Sequence, residues 1–255
     1  MKHFEYEISG IDGSAAKFVG YCLDNSEEIV PDRVRPSVLV IPGGGYEMTS
    51  DREAEPIAIQ FLAAGFNAFV LRYSVKPSVF PVALLEAADA MTMIREHATE
   101  WHVDPNAIAV IGFSAGGHLA ANLATSTSDD VLVAHGYDPD AVRPNGLMLA
   151  YPVITSGPLA HRGSFDSLLG ERRNDSQALE SVSIERHIDA KTPPVFAWHT
   201  VPDETVPYEN TLMLIDACKK AGVSIEAHLF PQGGHGLSLG TAETAWQGVN
   251  GIEPS

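Results

Sequence analysis

Gly112-Phe113-Ser114-Ala115-Gly116-Gly117 follows directly on the apolar run Ile108-Ala109-Val110-Ile111. A G-x-S-x-G that leaves a strand and opens a helix forces its serine onto a sharp turn, with glycines where side chains would strike neighbouring backbone. The hydroxyl is then presented at the strand tip. His118-Leu119-Ala120-Ala121-Asn122-Leu123-Ala124 continues with apolar residues at helical spacing, which separates the segment from a plain glycine-rich turn. A serine hydroxyl is a weak nucleophile at neutral pH, so this chemistry requires a histidine base and an acid to orient it.

Residues of both kinds lie downstream. Val195-Phe196-Ala197-Trp198-His199 reads as a buried strand running into a loop that carries Asp203, the expected orienting acid. Ile225 to Phe230 reads as the next strand and ends in Pro231-Gln232-Gly233-Gly234-His235-Gly236, which puts His235, the expected base, on a glycine-rich loop. The order Ser, Asp, His is the one α/β-hydrolases use, whereas chymotrypsin and subtilisin folds run in other orders. Ten histidines compete for the base. His118 projects from the flank of the elbow helix and suits packing or polar support. His199, just before Asp203, suits a structural hydrogen bond, and His97, His102 and His187 stand in no motif and read as surface residues. Glu204 is the rival acid, but Asp203 has the stiffer side chain, and Val206 and Pro207 could anchor its loop.

The negative charge that builds on a carbonyl oxygen needs donors early in the chain. Ser37-Val38-Leu39-Val40-Ile41 reads as a strand ending in Pro42-Gly43-Gly44-Gly45-Tyr46, where successive glycines can turn backbone amides toward an oxygen. The amides of Gly44, Gly45 and Ala115 are the expected oxyanion donors. Pro42 stands where the HGGG loops of lipases and esterases have histidine. A phosphate cradle is the competing function, but no Lys-Ser or Lys-Thr follows to complete it.

Together, Pro42 to Tyr46, Leu71-Arg72-Tyr73, Gly112 to Ala120, Ala150-Tyr151-Pro152-Val153-Ile154, Asp203 to Pro207 and Gly233-Gly234-His235-Gly236 resemble the α/β-hydrolase carboxylesterases that include acetyl xylan esterases and related carbohydrate esterases. The similarity spans most of the chain. It implies a Ser114-Asp203-His235 triad, hydrolysis of short-chain acyl esters, and neither metal nor organic cofactor. Val201-Pro202 departs from the pattern, since relatives often carry a second acid before the catalytic aspartate.

The elements that must position these residues alternate along the chain. Strands are expected at His3 to Ile8, Lys17 to Leu23, Ser37 to Ile41, Asn67 to Leu71, Ile108 to Ile111, Gly146 to Tyr151, Val195 to His199 and Ile225 to Phe230. Helices are expected at Arg52 to Ala64, Val82 to His97, after Ser114, and at Glu209 to Ala221. This alternation predicts the α/β class: a mostly parallel central sheet with helices on both faces and a site at the carboxyl ends of the strands. A chain of 255 residues is compatible with one α/β domain over 1–255. Thr155 to Thr192 breaks the alternation and reads as an insertion near the site, with helical pieces at Phe165 to Leu169 and Ser176 to Ser181; a small cap and a plain surface excursion are equally open. Thr125 to Asp140 reads as an exposed acid-rich loop. Beyond His235 only Thr241 to Trp246 has helical character, so a closing helix is expected to be short or absent.

A net charge of −17 would repel nucleic acid phosphates and anionic membranes, which favours a neutral small-molecule ester. The first residues lack the apolar core of a secretion signal and no run reaches membrane-spanning length, so a cytoplasmic protein is expected. Homo-oligomerisation stays open. Cys22 and Cys218 are the only cysteines and read as reduced packing residues. No paired His and Cys spacing suggests a metal. Tyr46, Phe113, Pro152, Val153 and Leu237 lie in or beside the motif loops and are expected to wall a compact acyl pocket, with core packing as the alternative. Amide cleavage by the same residues, or a non-catalytic binding module on the same scaffold, are the competing functions.

Overall fold

The structure is a computed structural model that describes residues 1–246. Its strands are β1 (Lys2–Ser9), β2 (Ala15–Cys22), β3 (Arg35–Ile41), β4 (Asn67–Arg72), β5 (Val103–Phe113), β6 (Gly146–Ala150), β7 (Val195–Thr200) and β8 (Ile225–Phe230). They form one sheet in the order β1-β2-β4-β3-β5-β6-β7-β8. β1, β2 and β4 pair antiparallel, and every pair from β4 to β8 is parallel. Parallel strands covered on both faces read as unbroken apolar runs, and Val38 to Ile41 are fully buried.

The helices are α1 (Glu55–Ala63), α2 (Val82–Glu96), α3 (Ala98–Trp101), α4 (Ser114–Ala124), α5 (Asp129–Ala134), α6 (Pro139–Val142), α7 (Arg162–Leu169), α8 (Ser176–Ser181) and α9 (Glu209–Ala221). Strand alternation divides the core between two faces. Leu39, Ile41, Ile108 and Val110 pack with residues of α2, α4 and α9 on one side, while Val38, Val40, Phe113 and Tyr151 pack with Ile57 and Ala58 of α1 on the other. This is the α/β-hydrolase fold, with helices on both faces.

β3 sits between β4 and β5, so the chain leaves it to one side and returns on the other. That reversal opens a crevice at the carboxyl ends of β3 and β5. Ile41 lies opposite Gly112 in the parallel register, which brings the glycine loop after β3 alongside the serine after β5.

Two stretches differ from expectation. Residues 125–140 are not a bare loop: they hold α5 and the start of α6, with Leu132 of α5 and Val142 at the end of α6 buried in the core. The acids that make the stretch look exposed lie in the first turns of these short helices, where they favour the helix dipole; Asp138 caps α6 by accepting the Asp140 N–H. β5 begins at Val103, five residues before the apolar run, because the polar Asp104-Pro105-Asn106 masks its start and the register with β3 shifts there.

Residues 155–192 contain α7 and α8 as expected, and Phe165, Leu168, Leu169, Ala178, Val182 and Ile184 join the core on the α4 face. Asn210 of α9 fastens the start of this segment, accepting the Ile154 and Thr155 amides and donating to the Leu159 carbonyl. The helical character expected at Thr241 to Trp246 reduces to a 3-10 turn, Ala242–Thr244; whether a closing helix follows falls on 247–255, outside the described residues. Cys22 and Cys218 are buried and free. Among the described residues no helix is long and apolar enough to cross a membrane.

Candidate active site

The serine turn is built from close backbone approaches. Ser114 takes φ 51°, a left-handed conformation that places it between β5 and α4. A Cβ on Gly112 would stand 2.4 Å from the Gly116 carbonyl oxygen, and one on Gly116 would stand 2.2 Å from that of Pro42. Only glycine fits at either place, which explains the spacing of the motif.

Three loops from distant parts of the chain meet at this turn. Ser114 Oγ and His235 Nε2 are 2.8 Å apart, and His235 Nδ1 and Asp203 Oδ2 are 2.7 Å apart. A carboxylate accepts, so Nδ1 donates and Nε2 is left to accept the Ser114 hydroxyl proton. Asp203 is itself fixed: Oδ1 accepts the Thr205 and Val206 amides at 2.9 Å each. Burial alone would raise its carboxyl, but hydrogen bonds from His199, His235 and Val206 outweigh that and hold it well below the usual carboxylate range.

The rival residues are engaged elsewhere. His199 is fully buried; its Nε2 donates to Asp203 Oδ2 at 3.2 Å and to the Val206 carbonyl at 3.0 Å, while Nδ1 accepts from Thr211 Oγ1 at 2.8 Å. His118 donates from Nε2 to the Val182 carbonyl at 2.7 Å and accepts the Tyr46 hydroxyl at Nδ1 at 2.8 Å. Burial pushes its imidazole down to about 4, so it is neutral. Glu204 points into solvent, and His97, His102 and His187 are half-buried and lie outside the cleft lining.

The glycine loop lies across from Ser114. Gly44 and Gly45 adopt φ 132° and 67° and line the same cleft as Ser114 and His235. The Gly43 amide is taken by Glu53 Oε2 at 2.8 Å, whereas the loop hydrogen bonds of the described residues leave the Gly44 and Gly45 amides without an acceptor. Ala115 sits in the first turn of α4, where an amide has no intrahelical partner. Gly44, Gly45 and Ser114 border a cleft of about 740 Å³, and Ala115 lies buried directly behind the serine.

Of the five residues expected to wall an acyl pocket, the structure brings only Leu237 to the cleft. Tyr46, Phe113, Pro152 and Val153 belong to the core instead. Tyr46 is spent on His118 and packs edge-on to Tyr73, Phe113 packs against Tyr151, and Pro152 lies against Gly117 of α4. All four are buried against the sheet or α4, so closeness to a motif along the chain did not bring them to the cleft. The walls are Met48, Arg52, His161, Thr205, Leu237 and Trp246.

Two functional-looking groups carried no motif. Glu53 is 3% exposed and accepts the Tyr151 hydroxyl at 2.6 Å. Arg52 donates to the Gly236 carbonyl at 2.7 Å and the Thr244 carbonyl at 2.6 Å, bracing the loop of His235. An Arg-Glu pair directly ahead of an apolar helix reads as a solvated helix start, so nothing in the sequence marked either one. Among the described residues, no group of three or more His, Cys, Asp or Glu side chains is arranged to hold a metal ion.

Residues 30–217 match the model of the BD-FAE family. Among curated proteins, the chain is 35% identical to endo-1,4-beta-xylanase B of Butyrivibrio fibrisolvens over 85% of this chain and 35% of that protein. It is 29% identical to an acetylxylan esterase of Xylanibacter ruminicola over 80% of this chain and 42% of that one. The chain thus spans well under two thirds of the length of these relatives. Among solved structures, the acetyl ester-xyloside bifunctional hydrolase of Caldicellulosiruptor lactoaceticus superposes with a TM-score of 0.79 at 39% identity, covering 89% of this chain and 81% of that one. With the family model matched over most of its length, the chain belongs to the BD-FAE family and carries the α/β-hydrolase fold on which its serine, histidine and aspartate converge.

Proposed function

We propose that this chain is a serine carboxylesterase that hydrolyses short-chain acyl esters, with acetylated sugars as the substrate class. The observation that carries the reading is the continuous hydrogen-bonded series Ser114, His235, Asp203, opening on a cleft that Gly44 and Gly45 line with amides left unengaged. His235 Nε2 takes the Ser114 proton as the hydroxyl attacks the ester carbonyl. The amides of Gly44, Gly45 and Ala115 receive the oxyanion, and their fixed orientation means no reorganisation as charge develops. The imidazolium then returns its proton to the departing alcohol, and water repeats the attack on the acyl-enzyme. Asp203 holds the Nδ1–H tautomer throughout and stabilises the charged ring.

The substrate class rests on the names of the relatives and on one feature of the cleft. Those names speak of acetylxylan and of acetyl esters and xylosides. Trp246 is 58% exposed at the cleft wall, with the Arg52 guanidinium 5.7 Å from its ring centre. An exposed indole supplies a flat apolar surface on which the carbon face of a pyranose can lie.

Ser114→Ala tests the reading. Activity on an aryl acetate is expected to fall by about three orders of magnitude or more with the unfolding midpoint preserved. A variant that keeps most of the wild-type rate removes Ser114 as nucleophile. Aryl esters of increasing acyl length, a matched amide and acetylated xylo-oligosaccharides then fix the class; a maximum on long chains or on the amide overturns it.

A further inference from the structure

Glu53 is tied on both sides. Oε2 accepts the Gly43 N–H at 2.8 Å and Oε1 accepts the Tyr151 O–H at 2.6 Å. The Tyr151 oxygen accepts the Ser238 N–H at 2.8 Å, so its own proton is directed at Glu53. Ser238 Oγ closes the circuit by donating to the Arg52 carbonyl at 2.6 Å. Both carboxyl oxygens therefore act as acceptors, which is the arrangement of an anion. Burial raises this carboxyl above its ordinary value, with the Tyr151 and Gly43 hydrogen bonds and the neighbouring His235 and Arg52 opposing the rise. A surface glutamate would avoid that desolvation, so the position asks for a role.

The two strands of the circuit end at different parts of the site. Gly43 precedes Gly44 and Gly45, which line the cleft with Ser114, and a Cβ on Gly43 would stand 2.9 Å from the Ser114 Cβ. Ser238 follows the loop of His235, and the Tyr151 ring meets the His235 ring edge-on with centroids 5.0 Å apart. Tyr151 itself is held at φ 39°, an uncommon conformation for a tyrosine.

We propose that Glu53 is a positioning residue of the esterase centre: through Gly43 and Tyr151 it locks the amide loop and the base loop into one geometry, and its charge favours the imidazolium that His235 becomes. This rests on the serine-esterase reading above. The titratable and charged groups facing His235 are Asp203 from the loop after β7, His161 from the segment before α7, Arg52 and Glu53 from the turn after β3, and Tyr151 from the end of β6. Glu53 can lose its charge by an isosteric change that leaves the Ser114-His235-Asp203 series intact.

The test uses the full chain with Glu53→Gln and Tyr151→Phe. A serine-directed phosphonate first counts active sites, and kcat and KM on an aryl acetate are then expressed per titrated site across pH. Glu53→Gln is expected to lower kcat roughly tenfold with KM changed by less than about twofold, since the loss falls on the transition state. Its acid limb of kcat/KM is expected to move to lower pH, because the imidazolium loses a nearby negative charge. Tyr151→Phe, which keeps the ring and deletes the hydroxyl, is expected to lower kcat in the same direction, and it decides the matter should Glu53→Gln not fold. Per-site kcat within twofold of wild type and an unmoved acid limb overturn the inference, whatever the thermal stability does. A wild type whose Ser114 is not labelled defeats the esterase reading and this inference with it, whereas labelled wild type with unaffected variants defeats this inference alone.

Discussion

Asp203→Asn is expected to cost far more than the loss of one charge, because the loop dictates which way the amide must turn. Asp203 Oδ1 accepts two backbone amides, Thr205 and Val206, each at 2.9 Å. An asparagine can satisfy both only by placing its carbonyl oxygen there, which puts its NH2 at the Oδ2 position, 2.7 Å from His235 Nδ1. A donor facing Nδ1 selects the tautomer with the proton on Nε2, and that nitrogen can no longer accept from Ser114. The expected loss in kcat is on the order of 10⁴, or about 5.5 kcal/mol at roughly 1.4 kcal/mol per factor of ten. The same NH2 confronts the Nε2–H of His199, which must change tautomer and forfeit the Val206 carbonyl, a destabilisation of about 1–3 kcal/mol. Aryl acetate hydrolysis per folded molecule, paired with urea unfolding of both proteins, reads the two effects separately. Retention of more than about a tenth of the wild-type kcat would refute the tautomer argument.

Two further outcomes follow from buried groups. His118 is neutral in the fold with its imidazole near 4 and takes up a proton on unfolding from 6.5 downward, so stability is expected to fall by about 3 kcal/mol between pH 6.5 and 4. Asp203, held low, gives stability that is lost only below its ordinary range, while Glu53 and Glu86, raised by burial, act in the opposite sense above pH 4.5. Urea midpoints at pH 7 and 4.5 for wild type and His118→Gln isolate the imidazole; equal slopes in both proteins remove it as the cause. Gly116→Ala is expected to destabilise by about 3 kcal/mol or more, since the new methyl would meet two carbonyl oxygens, those of Pro42 and Ile41, at 2.2 and 2.3 Å. A thermal midpoint unchanged in that variant contradicts the close approach of the two loops.

Strand and helix identities were legible because the parallel strands are buried on both faces and show as apolar runs, as Val38 to Ile41 do. Ser114, Asp203 and His235 were legible for a different reason: each sits at the end of such a run, in a loop whose glycines or proline mark a turn. What could not be read was direction. Tyr46 and Val153 look like pocket walls by position, yet Tyr46 hydrogen-bonds His118 and Val153 donates to the Ser114 carbonyl from within the core. Glu53 was hidden because its partners, Gly43 and Tyr151, lie ten and ninety-eight positions away and no local pattern joins them. The helices at 129–134 and 139–142 escaped because four to six residues are too few for a periodicity to emerge.

The left-handed backbone at Ser114 also restricts its own succession. A side chain forked at Cβ is strongly disfavoured at φ 51°, so threonine, the nearest chemical kin, is barred from the post, while cysteine would fit the same bend. The bend therefore tolerates an exchange of oxygen for sulfur at this position but not a methyl beside it.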